Sequence, residues 1–233
     1  MELRPTGITG FDAATGGGLP AGGRTLLYGP PGAGKTVFAL QCLWTGLQAG
    51  ETVACTASDR PFAHLRRYSA GFGWELAPYE ESGQLLALQS FPRTGEEPLE
   101  PGVRYLDEAD LGEWRAAGAW LRERGAKRLL FGEYSQACFG LLTPERAQAA
   151  GRWLAEWAYR NEVVALEAVT AAQLDPEGHK GWSLSLKATQ AVIQFRVEGG
   201  RRSLRIPKLE GATHPLEWVT IEIGARGIEM GVA

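Results

Sequence analysis

A short apolar run, Thr25, Leu26, Leu27 and Tyr28, leads straight into Gly29, Pro30, Pro31, Gly32, Ala33, Gly34, Lys35 and Thr36, and a helical pattern carrying Val37, Leu40, Trp44 and Leu47 follows up to Gly50. The loop spells G-x-x-x-x-G-K-T in full. Its order of strand, glycine turn and helix restricts the chain to folds that hold a loop between a buried strand and a helix N-terminus. Successive backbone N–H groups in such a turn make an anion nest, and the helix adds the positive end of its dipole. Gly29, Pro31, Gly32, Ala33 and Gly34 form the expected cradle. Lys35 is placed to reach the β and γ phosphates of a nucleotide, and Thr36 to present a hydroxyl to Mg²⁺. The expected ligands are ATP or ADP with Mg²⁺. A turn that only reverses the chain needs neither the lysine nor the threonine.

Strand and helix patterns alternate after this unit. Residues 52 to 56, 85 to 88, 127 to 131 and 163 to 169 read as strands. Helices are expected around Phe62 and Leu65, along Leu111, Trp114, Gly118 and Leu121, and from Thr143 with Pro144 at its first turn through Leu154 and Trp157. Residues 191 to 197 and 203 to 206 flank Glu198, Gly199 and Gly200 and read as a hairpin, and two more strand patterns, 217 to 223 and 227 to 230, close the chain. This predicts an α/β fold whose mainly parallel sheet is covered on both faces, with an antiparallel edge from the last strands. Before the loop, residues 6 to 23 hold seven glycines among the apolar anchors Ile8, Phe11 and Leu19 and read as tight turns. Residues 90 to 105, rich in proline and glutamate, read as a surface loop or lid. The 233 residues, 44% of them hydrophobic, suffice for one core, so one domain over residues 1–233 is expected.

Charge narrows the partners. The net charge of −3 gives no overall basic footprint for nonspecific nucleic-acid binding. The pairs Arg66 with Arg67 and Arg201 with Arg202 read as solvated, and the polar loop 173 to 182 offers only His179 and Lys180 as cations. Cys42, Cys55 and Cys138 are far apart in apolar segments and read as buried free thiols. The first residues lack a signal-peptide pattern and no run approaches the length of a membrane span, so a cytoplasmic protein is expected.

T-G-I-T-G-F-D at Thr6 to Asp12, G-G-G-L-P at Gly16 to Pro20 and the G-K-T loop together resemble the opening of the KaiC-like branch of the RecA-type ATPases. Phe72, Gly73 and Trp74 are similar to the same family, as is the closing stretch with Lys208, Gly211, His214, Glu222, Ile223, Gly227 and Ile228. The resemblance spans nearly the whole chain. It implies a RecA-like core, an ATPase by descent, and a homo-oligomer, in the relatives a hexamer. It also implies that Lys208, Leu209 and His214 lie where relatives contact the nucleotide of a neighbouring subunit; a strand-end lysine and a turn histidine before Pro215 are the alternative.

The same resemblance exposes three departures. The family pattern ends the strand at 128 to 131 in an aspartate that holds Mg²⁺; here Gly132 stands there and Glu133 follows, on the opposite face unless a bulge re-aims it. Glu133 is either a substitute metal carboxylate or a solvated one. Paired glutamates follow the second strand in the family, where this chain has Asp59 and Arg60. Asp59 is a candidate catalytic base or a turn former before Pro61, and Arg60 cannot act as a base. Third, the arginine of the K-x-R-G segment is Glu210. A carboxylate 4 Å from a γ-phosphate charge would cost about 4 kcal/mol at an effective dielectric of 20. The expected function is an ATP-binding regulatory or signalling protein with weak or absent hydrolysis, its signalling partner unspecified. The alternatives are an active ATPase using Asp59 or Glu133, or a recombination-type DNA binder.

Overall fold

In the computed structural model, strand β3 (Gly23–Gly29) lies near the middle of a ten-stranded sheet and delivers the glycine loop to α2 (Lys35–Gln48). The structure describes residues 2–57, 61–89, 100–107, 110–131, 144–170 and 189–231, without the side chains of 144–148 and 170. Preceding β3 are β1 (Leu3–Arg4), α1 (Thr9–Thr15) and β2 (Leu19–Pro20). After α2 come β4 (Thr52–Ala57), α3 (Phe62–Ala70), α4 (Ala77–Glu81), β5 (Leu85–Gln89), β6 (Val103–Tyr105), α5 (Leu111–Glu123), β7 (Ala126–Phe131), α6 (Pro144–Asn161) and β8 (Val164–Thr170). The chain closes with β9 (Ala191–Glu198), β10 (Arg201–Leu209), β11 (Val219–Gly224) and β12 (Gly227–Met230).

The sheet order is β12-β11-β10-β9-β3-β8-β7-β4-β5-β6. From β9 to β6 every pairing is parallel, and β9 through β12 pair antiparallel. Side-chain alternation divides the core as a strand buried on both faces requires. Val53, Cys55 and Leu130 face α2, whereas Ala54, Leu129 and Phe131 face α5 and α6. Helix α2 buries Val37, Phe38, Ala39, Leu40, Cys42 and Leu43, more than an amphipathic stripe would, because α1 and β12 also pack on it. Edge-to-face contacts link α1 to α2 and α2 to β9: Phe11 on Phe38 at 5.1 Å and Phe38 on Phe195 at 5.9 Å.

The T-G-I-T-G-F-D stretch is a fastener. Asp12 accepts from Thr6 N, Thr6 Oγ1 and Gly7 N at 2.9, 2.7 and 3.0 Å. Gln41 on α2 donates to Gly7 O and accepts from Ile228 N on β12, and Thr45 donates to Thr6 O. Both ends of the described chain are thereby tied to the helix that follows the loop. Beneath it, the fully buried Arg128 donates to Glu51 Oε2 at 2.5 Å and to the carbonyls of Pro5 and Cys42 at 2.5 and 2.8 Å; Arg4 also reaches Glu51, at 2.9 Å.

Two expectations are corrected. Residues 6 to 23 are not turns alone: Thr9–Thr15 wind a seven-residue helix that buries Phe11 completely, with Ile8 fully buried at its N-cap, and β1 pairs with β2. The segment expected to be loop up to 105 ends in a strand, since Val103–Tyr105 pairs with β5 at the sheet edge; residues 90–99 lie outside the described ones. Cys42 and Cys55 are buried free thiols as expected, and Cys138 is not among the described residues.

Candidate phosphate-binding site

Gly29 closes β3 at φ +155°, where an added Cβ would stand 2.5 Å from Phe195 O on the adjacent strand, so the loop leaves the sheet at a point only glycine fits. Gly32, at φ +74°, turns the exposed tip back toward α2. Ala33, Gly34 and Lys35 are buried beneath the tip. Helix α2 then begins without a side-chain cap and without an acidic residue in its first turn, which keeps its leading N–H groups and positive dipole end available to an anion.

Lys35 is 4% exposed and donates Nζ to Gly29 O and Pro30 O, each at 3.0 Å. The ammonium is thus held against the loop by carbonyls of the loop itself. Thr36, next in the chain, is exposed. Among the described residues no three His, Cys, Asp or Glu side chains cluster to hold a metal ion. The candidate carboxylates Asp59 and Glu133 lie outside the described residues, and of the expected metal-site residues the structure describes Thr36. The residues present fit a nucleotide phosphate with its metal.

One residue of the site was hidden from sequence reasoning. Arg202, which in the sequence reads as half of a solvated pair, donates Nε to Gly32 O at 2.9 Å. The turn at Gly199 and Gly200 sets Arg202 opposite Val197 on β9, and β9 runs parallel to β3, so the start of β10 arrives beside the loop tip. The only sequence signal was the hairpin turn; the β9–β3 neighbourhood is tertiary. Tyr68 of α3 stands in the electrostatic reach of Arg202: burial pushes its phenol pKa up, and the guanidinium pulls against that. Burial likewise raises Tyr28, against the charge and hydrogen bond of Arg205.

Lys208, Leu209 and His214 are at the opposite end of the sheet. Leu209 pairs with Ala191, and Ala191 with Thr25, four residues short of Gly29, or about 13 Å of strand rise. Lys208 Nζ is bound by Thr189 O at 2.6 Å and Glu210 Oε1 at 2.8 Å, and His214 Nδ1 lies 3.2 Å from Ala212 O. None of these three residues is brought to the loop of its own chain. Asp59, Arg60, Gly132, Glu133 and the loop 173 to 182 lie outside the described residues.

A glycine loop between a central parallel strand and a helix, on a sheet with this order, defines a P-loop nucleotide-binding protein of RecA type. Residues 4–232 match the model of the KaiC ATPase family, and the chain belongs to that family. It is 38% identical over 112 residues to the circadian clock protein KaiC3 of Synechocystis, a match covering 48% of this chain and 21% of that protein. A UPF0273 protein of Methanopyrus kandleri is 42% identical over 92 residues, 39% of this chain and 36% of the relative. These matches thus span well under half of the relatives' length. Another UPF0273 protein, of Aeropyrum pernix, is 29% identical over 231 residues, 96% of this chain and 91% of its own. The crystal structure of a KaiC-like protein from Pyrococcus horikoshii shares the fold, with a TM-score of 0.79 at 22% identity over 98% of each chain. Membership in this family implies nucleotide binding.

Proposed function

We propose that the chain, as one domain, binds ATP or ADP with Mg²⁺ in a regulatory or signalling role, and that it hydrolyses ATP slowly or not at all. The observation that carries the reading is the arrangement at the loop: a buried Lys35 amine on the carbonyls of Gly29 and Pro30, an exposed Thr36, an uncapped helix start, and Arg202 on the loop tip.

Each residue has a binding task. Lys35 neutralises phosphate charge, Thr36 gives an oxygen to the metal, and the N–H groups of the loop and of the first turn of α2 orient the phosphates. Arg202 adds a second cation from the same chain. Mg²⁺, when bound, supplies charge neutralisation between phosphate oxygens. Occupancy then shifts the protein toward whichever conformation or assembly holds the nucleotide more tightly.

Weak hydrolysis is supported by the departures at Gly132, Arg60 and Glu210 and by the state of Lys208, whose charge is matched by Glu210 rather than left open. Assembly of copies is the family's suggestion. Lys208, Leu209 and His214, remote from their own loop, would touch nucleotide only across such a contact. Buried thiols at Cys42 and Cys55 favour a reducing compartment, and among the described residues no helix is long and apolar enough to cross a membrane. We place the protein in the cytoplasm.

Phosphate release by purified chain under saturating Mg-ATP tests the hydrolysis claim. The expected rate is far below about 1 per second, the lower end of ordinary enzyme turnover. A rate at or above that value, lost in Asp59→Ala or Glu133→Ala while binding persists, would establish an active ATPase instead.

A further inference from the structure

Strand β12 is the outer strand of the sheet, and both backbone polar groups of its Ile228 are met by one side chain of α2. Gln41 Oε1 accepts from Ile228 N at 2.7 Å, and Gln41 Nε2 donates to Ile228 O at 3.3 Å and to Gly7 O at 3.0 Å. A glutamine amide carries an acceptor oxygen beside a two-donor nitrogen, so it serves a backbone N–H and C=O as a neighbouring strand would. Gln41 is 7% exposed, and an added Cβ at Gly227 would stand 2.4 Å from its Oε1. The strand therefore begins against the amide at a point that takes only glycine.

The same strand covers the start of α2. Gly34 and Gln41 are seven residues apart, close to two helical turns, and so lie on one face of the helix. Ile228 pairs with Ile223 of β11. A Cβ added at Gly34 would stand 3.2 Å from Ile223 Cδ1, 3.6 Å from Ile228 Cδ1 and 3.7 Å from Ile221 Cδ1. Gly34 holds φ +107°, the left-handed turn through which the loop enters α2. Gln41 thus holds the backbone of a residue whose side chain lies against the last glycine of the loop.

We propose that Gln41 is a positioning residue for the phosphate loop: it fixes Ile228 along the free edge of β12, and Ile228 with Ile223 holds Gly34 in the turn that aims the first N–H groups of α2 at phosphate. The proposal rests on the nucleotide reading above. It makes nucleotide affinity depend on an amide about 10 Å along the helix from Gly34 that touches no nucleotide.

The test is a double-mutant cycle on the full chain, read by titration with Mg-ADP. Gln41→Met keeps the length of the side chain and removes its hydrogen bonds. It is expected to weaken binding about fivefold in the wild-type background and less than about twofold in the Ile228→Ala background, where the restraint has lost the side chain that carries it to Gly34. Equal losses in both backgrounds, or no loss in either, overturn the proposal. Gln41→Glu adds a readout that a packing role leaves unmoved. Its carboxylate accepts from Ile228 N but opposes the carbonyls of Gly7 and Ile228, whereas the protonated acid donates again. Burial and the Asp12 carboxylate, which accepts from Gly7 N at 3.0 Å, raise the pKa of an acid placed there. Its deficit relative to wild type at the same pH should shrink from about fivefold near pH 9 to under about twofold near pH 6, while that of Gln41→Met stays flat. A Gln41→Glu deficit that does not shrink as pH falls overturns the proposal, and this arm decides alone should Gln41→Met fail to fold. A wild-type chain that binds no Mg-ADP overturns the nucleotide reading and this inference with it, an outcome distinct from binding that is indifferent to Gln41.

Discussion

Arg202 and Gly32 stand 170 positions apart, yet the guanidinium Nε of one donates to the carbonyl of the other at 2.9 Å. A cation carried by the β9–β10 hairpin is therefore part of the loop's own surroundings, with two further nitrogens in the same planar fork. If one of them meets phosphate, Arg202→Ala loses a charge-assisted hydrogen bond of about 1.5 kcal/mol, roughly tenfold in affinity. Arg202→Lys keeps the charge without the fork and falls between. Calorimetric titration with Mg-ADP checks both.

Lys35 and Thr36 separate by ligand. At a nucleotide concentration of 100 times the wild-type Kd, binding adds about 2.7 kcal/mol to wild-type stability. Lys35→Met keeps the buried stem but removes the ammonium, so that gain nearly vanishes. Thr36→Val retains nucleotide binding but loses most of its dependence on Mg²⁺. Thermal unfolding with and without nucleotide, Mg²⁺ and chelator reads all three.

Arg128 predicts a stability effect with no direct part in the site. It is 1% exposed and joins Glu51, Pro5 and Cys42 under α2. Arg128→Ala leaves Glu51 short of its main partner and should cost about 3 kcal/mol in chemical denaturation. Burial alone would raise the Glu51 carboxyl, but Arg128 and Arg4 outweigh it and hold the pKa below its usual value. A carboxyl depressed on folding gives stability that is complete above its unfolded pKa, about 4.3, and lost as pH falls through the lower folded value. Wild type therefore loses stability in acid below about pH 4 more steeply than Glu51→Gln.

The Lys208–Glu210 pair should be silent in the single chain. Both side chains are a third or more exposed, so Glu210→Gln costs under about 1 kcal/mol. Because Leu209 is level with Thr25, the change leaves nucleotide affinity of dilute chain unaltered. Any effect must grow with protein concentration, which titration at two chain concentrations would reveal.

The β3, loop and α2 unit was legible because its signals are local: an apolar run, a fixed glycine spacing, then helical periodicity. The buried strands β4, β7 and β8 were legible for the same reason. Helix α1 was not, since it is seven residues long, contains Gly10, and starts at Ile8 without a side-chain cap. Strand β6 has three residues and one neighbour, too little for a period. Arg202 and Arg66 looked like solvated charges because their partners, Gly32, Glu80 and Glu100, come from other elements; only tertiary packing brings them together.

Calorimetric titration of the purified chain with Mg-ATP, beside Lys35→Met, tests the central claim most directly. The account predicts saturable binding at one nucleotide per chain that the substitution removes. Absence of binding by the wild type, or equal binding by Lys35→Met, would contradict it.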